Sequence, residues 1–287
     1  MGSFVGHAVP GTMLTIGSIW WLIGALRLSF LHLTSKQNPP LLQKPRNNRI
    51  RGERRQQRAT FGCVERRTSK IPFEPILKVV LSIVGVLGEL FYESQWVLLD
   101  SNNDFVQEHL NNYAHVSMYS LFGLSGVVDL LVHYKAAPFP SGLDHVFLAL
   151  AFFAEGMLFF FHLGGRPELI VRLHTFLYVI SFLTSVVLLL EMKVDDRTPV
   201  PALSRAFLTS LQGTWFFQIA FVLHGARPWK NSSANVEFVA IAFVWHIFVV
   251  AALYLVIFVM AYRGLFAKLL RKEPGVIDAD DSDDELE

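Results

Sequence analysis

Residues 239–262 read VAIAFVWHIFVVAALYLVIFVMAY. The stretch holds 24 consecutive positions without Asp, Glu, Lys or Arg, and His246 is its one ionisable group below the tyrosines. About 20 apolar residues in a helix cross the roughly 30 Å of a bilayer's hydrocarbon core, so this segment predicts a transmembrane helix. The expected span runs over 237–262.

Working outward from it, six further apolar stretches of similar length appear at 12–33, 75–93, 113–133, 143–163, 168–191 and 203–224. The second is the weakest, being short and carrying Lys78 and Glu89. The first has no Lys or Arg ahead of it and holds Trp20-Trp21 at its centre, which predicts a retained helix rather than a signal peptide. The expected fold is all-α: a polytopic membrane protein built as a seven-transmembrane-helix bundle. Composition agrees. Of 287 residues, 52% are hydrophobic and only 17% are charged, against about 25% in soluble domains. Mean hydropathy is +0.40. The lipid bilayer is therefore the expected partner of the apolar surface. The single cysteine, Cys63, excludes an internal disulfide and a cysteine-rich metal module.

Net charge is only +1, but the charges are segregated. The connection 34–74 carries basic residues from Lys36 to Lys70 and three proline-containing steps. It reads as a disordered cytoplasmic loop, able to lie on anionic lipid head groups. The following connection, SQWVLLDSNNDFVQEHLNN, has no Lys or Arg and fits the opposite side. Together with Arg263, Lys268, Arg271 and Lys272 after the last span, this predicts an N-terminus outside or lumenal and a C-terminus in the cytoplasm. The chain divides into 1–33 (N-terminus and helix 1), 34–74 (basic loop), 75–262 (the remaining six helices) and 263–287 (acidic cytoplasmic tail, ending DADDSDDELE). Despite the basic loop, no nucleic-acid partner is expected.

Ionisable groups in membrane helices are costly and usually face the bundle interior or a cavity. With the helix directions alternating, Glu89, His115, Glu155, His162, His174, Gln218 and His246 all fall in the outer half of the membrane. Glu155 and His162 share a helix face, seven residues or roughly 10 Å apart along the axis. This convergence predicts one polar pocket opening outward. Imidazole is the commonest side-chain metal ligand. His115, His162, His174 and His246 are therefore candidate zinc ligands, with Glu155 or Glu89 as candidate general base and Gln218 as a further binding group. A zinc-bound water beside a carboxylate would suit hydrolysis of a lipid-like substrate. No local HExxH-type motif supports it, and the same groups would serve simple helix–helix hydrogen bonding. Paired haem ligation by His174 and His246, a proton or ion path, and a non-enzymatic trafficking or scaffold role are the alternatives, so whether the chain is an enzyme stays open. His7, His32, His109 and His224 read as loop or interfacial residues. Asp129, His133, His145, Glu191 and Arg205 fall in the inner half, where Asp129 and Arg205 are placed to pair.

Several of these residues lie in longer motifs. Gly6-His7-Ala8-Val9-Pro10-Gly11-Thr12, Gly88-Glu89, His115-Val116-Ser117-Met118-Tyr119 with Gly126 and Asp129, Ala154-Glu155-Gly156 through Phe161-His162, His174, the run Leu211-Gln212-Gly213-Thr214-Trp215-Phe216-Phe217-Gln218-Ile219, and Trp245-His246 are all present. On these the chain resembles the transmembrane protein 45 family, from the N-terminus to about residue 270 apart from the 34–74 loop. That family often has a second His two residues after the position of His162, where this chain has Gly164. The resemblance implies a multi-pass protein of Golgi, endosomal or other secretory-pathway membranes and supplies no established activity. The layout also looks like the alkaline ceramidase and adiponectin receptor hydrolases, at the level of architecture alone.

Overall fold

A computed structural model describes residues 3–37, 71–91, 96–194 and 198–271. The expectations for Cys63, for most of the basic loop and for the acidic tail from residue 272 onward lie outside the described residues.

Among the described residues seven helices follow one another: α1 (Phe4–Gln37), α2 (Phe73–Phe91), α3 (Leu110–His133), α4 (Leu143–Phe161), α5 (Glu168–Glu191), α6 (Val200–His224) and α7 (Ser233–Arg271). Among the described residues the only β pairing is an isolated antiparallel bridge, Leu99 to Phe105. It closes a short turn in which the Asp100 carboxylate accepts from the backbone N–H groups of Asn102 and Asp104 at 2.8 and 3.0 Å. The chain is an integral multi-pass membrane protein. Its surface carries large apolar side chains such as Val244, Phe248, Val249 and Leu253, while Arg205, Glu155, His145 and Gln212 are enclosed. That distribution suits a lipid solvent.

Six of the helices are long and apolar enough to cross a membrane, and α2 is not among them. Of the seven expected spans, six are met by length and hydropathy, and the second, expected to be the weakest, is not. The reason is charge: Glu74, Lys78 and Glu89 all fall within the 19 residues of α2. Each of the three has a partner in a neighbouring helix. The Glu74 carboxylate accepts from the indole N–H of Trp20 at 2.8 Å and of Trp21 at 2.7 Å, both on α1. Lys78 Nζ lies 2.6 Å from Asp129 on α3. Glu89 accepts from Asn112 Nδ2 and meets His115 Nδ1, each at 3.0 Å on α3.

Neighbours run in the order α2, α3, α4, α5, α6, α1, with α7 laid against α5, α6 and α1. The α1–α6 crossing is the closest, and small residues make it so. A Cβ on Gly213 would stand 2.7 Å from the Thr15 backbone nitrogen, and one on Gly11 would stand 3.0 Å from the Gly213 carbonyl. Without side chains there, the two backbones approach directly. The α2–α3 seam works likewise, with Gly85 under the Tyr119 ring and Gly123 against Ser82. One apolar core joins α5, α6 and α7 around Leu173, Leu177, Trp215, Phe216 and Val239. A second joins α1, α4 and α6 around Trp21, Leu148, Phe152 and Ala206. α7 is peripheral: 11% of its apolar window is buried, against 61% for α6.

Candidate functional site

The N-terminus of α1, the C-terminus of α4, the N-terminus of α5 and the C-terminus of α6 meet at one end of the bundle, here the histidine end. α1 begins at Phe4 rather than at residue 12, so a turn of helix carries His7 into the bundle, where it is buried. His174, one and a half turns into α5, is buried opposite it. Their rings lie 5.6 Å apart, and their Nε2 atoms 3.5 Å apart. His224, the last residue of α6, sits 5.6 Å from the His7 ring. His162, capping α4, sits 6.5 Å from that of His174. Four imidazoles from four helices thus line one basin, with Phe159 and Phe216 packed on its inner side. His162 lies just beyond the α4 span. Burial, then the positive charge of Arg166, holds its imidazole below the ordinary range.

The residues expected to form one pocket separate into five places. His162 and His174 belong to the basin. His115 pairs with Glu89 on α2, Nδ1 to carboxylate at 3.0 Å. Glu155 is enclosed in mid-bundle, where Gln212 Nε2 donates to its carboxylate at 2.8 Å and the Ser181 hydroxyl stands 3.2 Å from the same oxygen. His246 turns to Thr214, with Nε2 2.8 Å from the hydroxyl, and packs on the Trp215 ring. Gln218 is half-buried on α6. Among the described residues no group of three or more His, Cys, Asp or Glu side chains is arranged to hold a metal. His7 and His224, read as loop or interfacial residues, are instead basin members. The motif at residues 6–12 was the one signal that marked His7, and nothing in the sequence marked His224.

Toward the opposite end lie ion pairs. Arg205 Nε is 3.3 Å from Glu191, and its guanidinium stacks 4.5 Å over Trp21. Glu191 lies 3.9 Å from His145, which meets Asp144 at 3.2 Å. The expected Asp129–Arg205 pair is therefore replaced by two pairs, Asp129 with Lys78 and Arg205 with Glu191. The expected pairing left out α2, whose Lys78 reaches Asp129 first. Between the two ends, Ser210 bridges α1 and α7, donating to Ser18 at 2.8 Å and sharing a 2.7 Å bond with Tyr254.

Comparison with known proteins agrees with a membrane family and goes no further in function. A family model described as Family of unknown function (DUF716) matches residues 141–259, which covers α4 to most of α7. Transmembrane epididymal protein 1A of Mus musculus is 22% identical over 256 residues, covering 87% of this chain and 77% of the relative. Transmembrane epididymal protein 1 of Rattus norvegicus is 23% identical over 260 residues, with the same coverage. The chain is thus similar to transmembrane proteins and, over residues 141–259, to a family of unknown function.

Proposed function

We propose that the chain relays protons across the membrane along the buried side of α5. One observation carries this reading: His174, Ser181, Thr184, Ser185 and Glu191 are all buried on that helix. They extend over 17 residues, about 25 Å at 1.5 Å per residue. His174 belongs to the imidazole basin, Ser181 to the Glu155–Gln212 cluster, and Glu191 to the Arg205–His145 pairs. Histidines and carboxyl groups in series within a membrane are the parts from which proton relays are built.

The test is proton flux in liposomes containing the purified full chain and a trapped pH-sensitive dye, driven by a potassium diffusion potential. Flux above that of protein-free liposomes, lost in Glu155→Gln, is the expected result. Flux equal to the protein-free control overturns the reading.

In this reading the histidine end faces outside or lumen, the C-terminus is cytoplasmic, and α2 completes seven crossings because its charged groups find hydrogen-bond or ion-pair partners on α1 and α3. The loop and terminal Lys and Arg residues support that orientation. The sequence motifs support membership of the transmembrane protein 45 family, and through it residence in Golgi or endosomal membranes. A second reading is zinc-assisted hydrolysis of a lipid-like substrate, for which the Glu89–His115 pair at 3.0 Å supplies a carboxylate beside an imidazole. It requires a bound metal.

A further inference from the structure

His7 and His174 face each other through Nε2 at 3.5 Å. The far side of each ring fixes what those atoms are. His7 Nδ1 lies 3.0 Å from the Ser3 carbonyl oxygen, and His174 Nδ1 lies 2.8 Å from the Ile170 carbonyl oxygen. A carbonyl only accepts, so both Nδ1 atoms carry hydrogen. In the neutral rings, both Nε2 atoms are then bare lone pairs pointed at one another, an arrangement that needs a positive centre between them.

Two centres are available, a proton or a metal ion, and distance separates them. Side-chain hydrogen bonds from nitrogen cluster near 2.9–3.0 Å and fade out by about 3.6 Å. Two imidazole nitrogens on one tetrahedral zinc, each about 2.0–2.1 Å from it, stand roughly 3.4 Å apart. The observed 3.5 Å fits the second case. The backbone hydrogen bonds match too, because metal-bound histidines regularly donate their other ring N–H to a carbonyl or carboxylate, which orients the ring and fixes its tautomer.

We propose that His7 and His174 together bind one transition-metal cation of the zinc class through their Nε2 atoms, at the histidine end of the bundle. His246, bonded to Thr214, takes no part. The inference uses His174, which the proton-relay reading places at the head of its path, and it is tested separately, in detergent without any flux measurement.

The experiment is zinc content and affinity of the full chain, stripped with chelator, dialysed against Zn2+ and counted by elemental mass spectrometry. One zinc per chain is expected, with visible d–d absorption on replacement by Co2+ reporting nitrogen ligation. His7→Ala and His174→Ala should each weaken zinc by more than the roughly 10–100-fold that loss of an outer-shell partner alone produces, while His246→Ala should keep it. If the alanine variants misfold, His7→Gln and His174→Gln serve instead. A wild-type chain with no zinc above the detergent blank overturns the proposal, as does zinc retained in both basin variants or lost in His246→Ala.

Discussion

His162 shows how position sets chemistry for a single residue. It sits where α4 ends, partly buried and near Arg166, so folding disfavours its protonated form. The unfolded chain therefore takes up this proton first as pH falls. The stability linked to His162 is intact above the ordinary imidazole pKa of about 6.5 and is lost as pH drops through it toward the depressed folded value. In chelator-containing detergent, the wild-type melting temperature should fall more steeply between about pH 7 and about pH 5 than that of His162→Gln. Parallel slopes would show that the imidazole titrates alike in both states. Glu155 makes the complementary point. Its two partners, Gln212 and Ser181, are neutral and come from α6 and α5, so the residue ties three helices together through hydrogen bonds rather than through a counter-charge.

Among the helices, α2 is the one whose sequence and structure pull hardest against each other. Lys78 is 16% exposed and Asp129 wholly enclosed, at 2.6 Å. Removing one partner of a buried pair destabilises by about 3–5 kcal/mol because the other charge stays behind, whereas apolar replacement of both is often neutral. Thermal unfolding should therefore show a large loss for Asp129→Ala and substantial recovery in the double variant Lys78→Met/Asp129→Leu. Equal losses in the two would mean the pair itself, rather than an orphaned charge, sets the stability. α2 also marks the limit of hydropathy: a count of charges cannot see that Trp20, Trp21, Asp129, Asn112 and His115 wait on adjacent helices to meet them.

Across the whole molecule, hydropathy and loop charge predict depth, and packing decides which residues meet. Of the residues expected in the outer half, His162 and His174 lie at the histidine end and Glu155 at mid-bundle. Depth says nothing about azimuth, however, and azimuth is what separates His246, turned to Thr214, from His174, turned to His7. It also hid the true neighbours: His7 precedes the most apolar part of α1, and His224 closes α6, so both looked like interface residues. The orientation and the crossing by α2 are open to one measurement. Cys63 lies before α2, and a cysteine introduced as Ser101→Cys lies after it. In sealed vesicles of defined orientation, a membrane-impermeant maleimide should reach one and not the other, when each is the sole cysteine. Labelling of both from the same side would leave α2 on the surface.

The pairing of α2 has a consequence for how the chain is made. A translocon weighing this segment on emergence meets three charges, each opposing insertion by about 2.5–3.5 kcal/mol at mid-membrane and by less near the interface. The tryptophans that receive Glu74 have already left the ribosome, but Asp129, Asn112 and His115 have not. In the seven-crossing reading, the segment would wait at the lateral gate until α3 arrives, and the two would enter lipid as a hairpin.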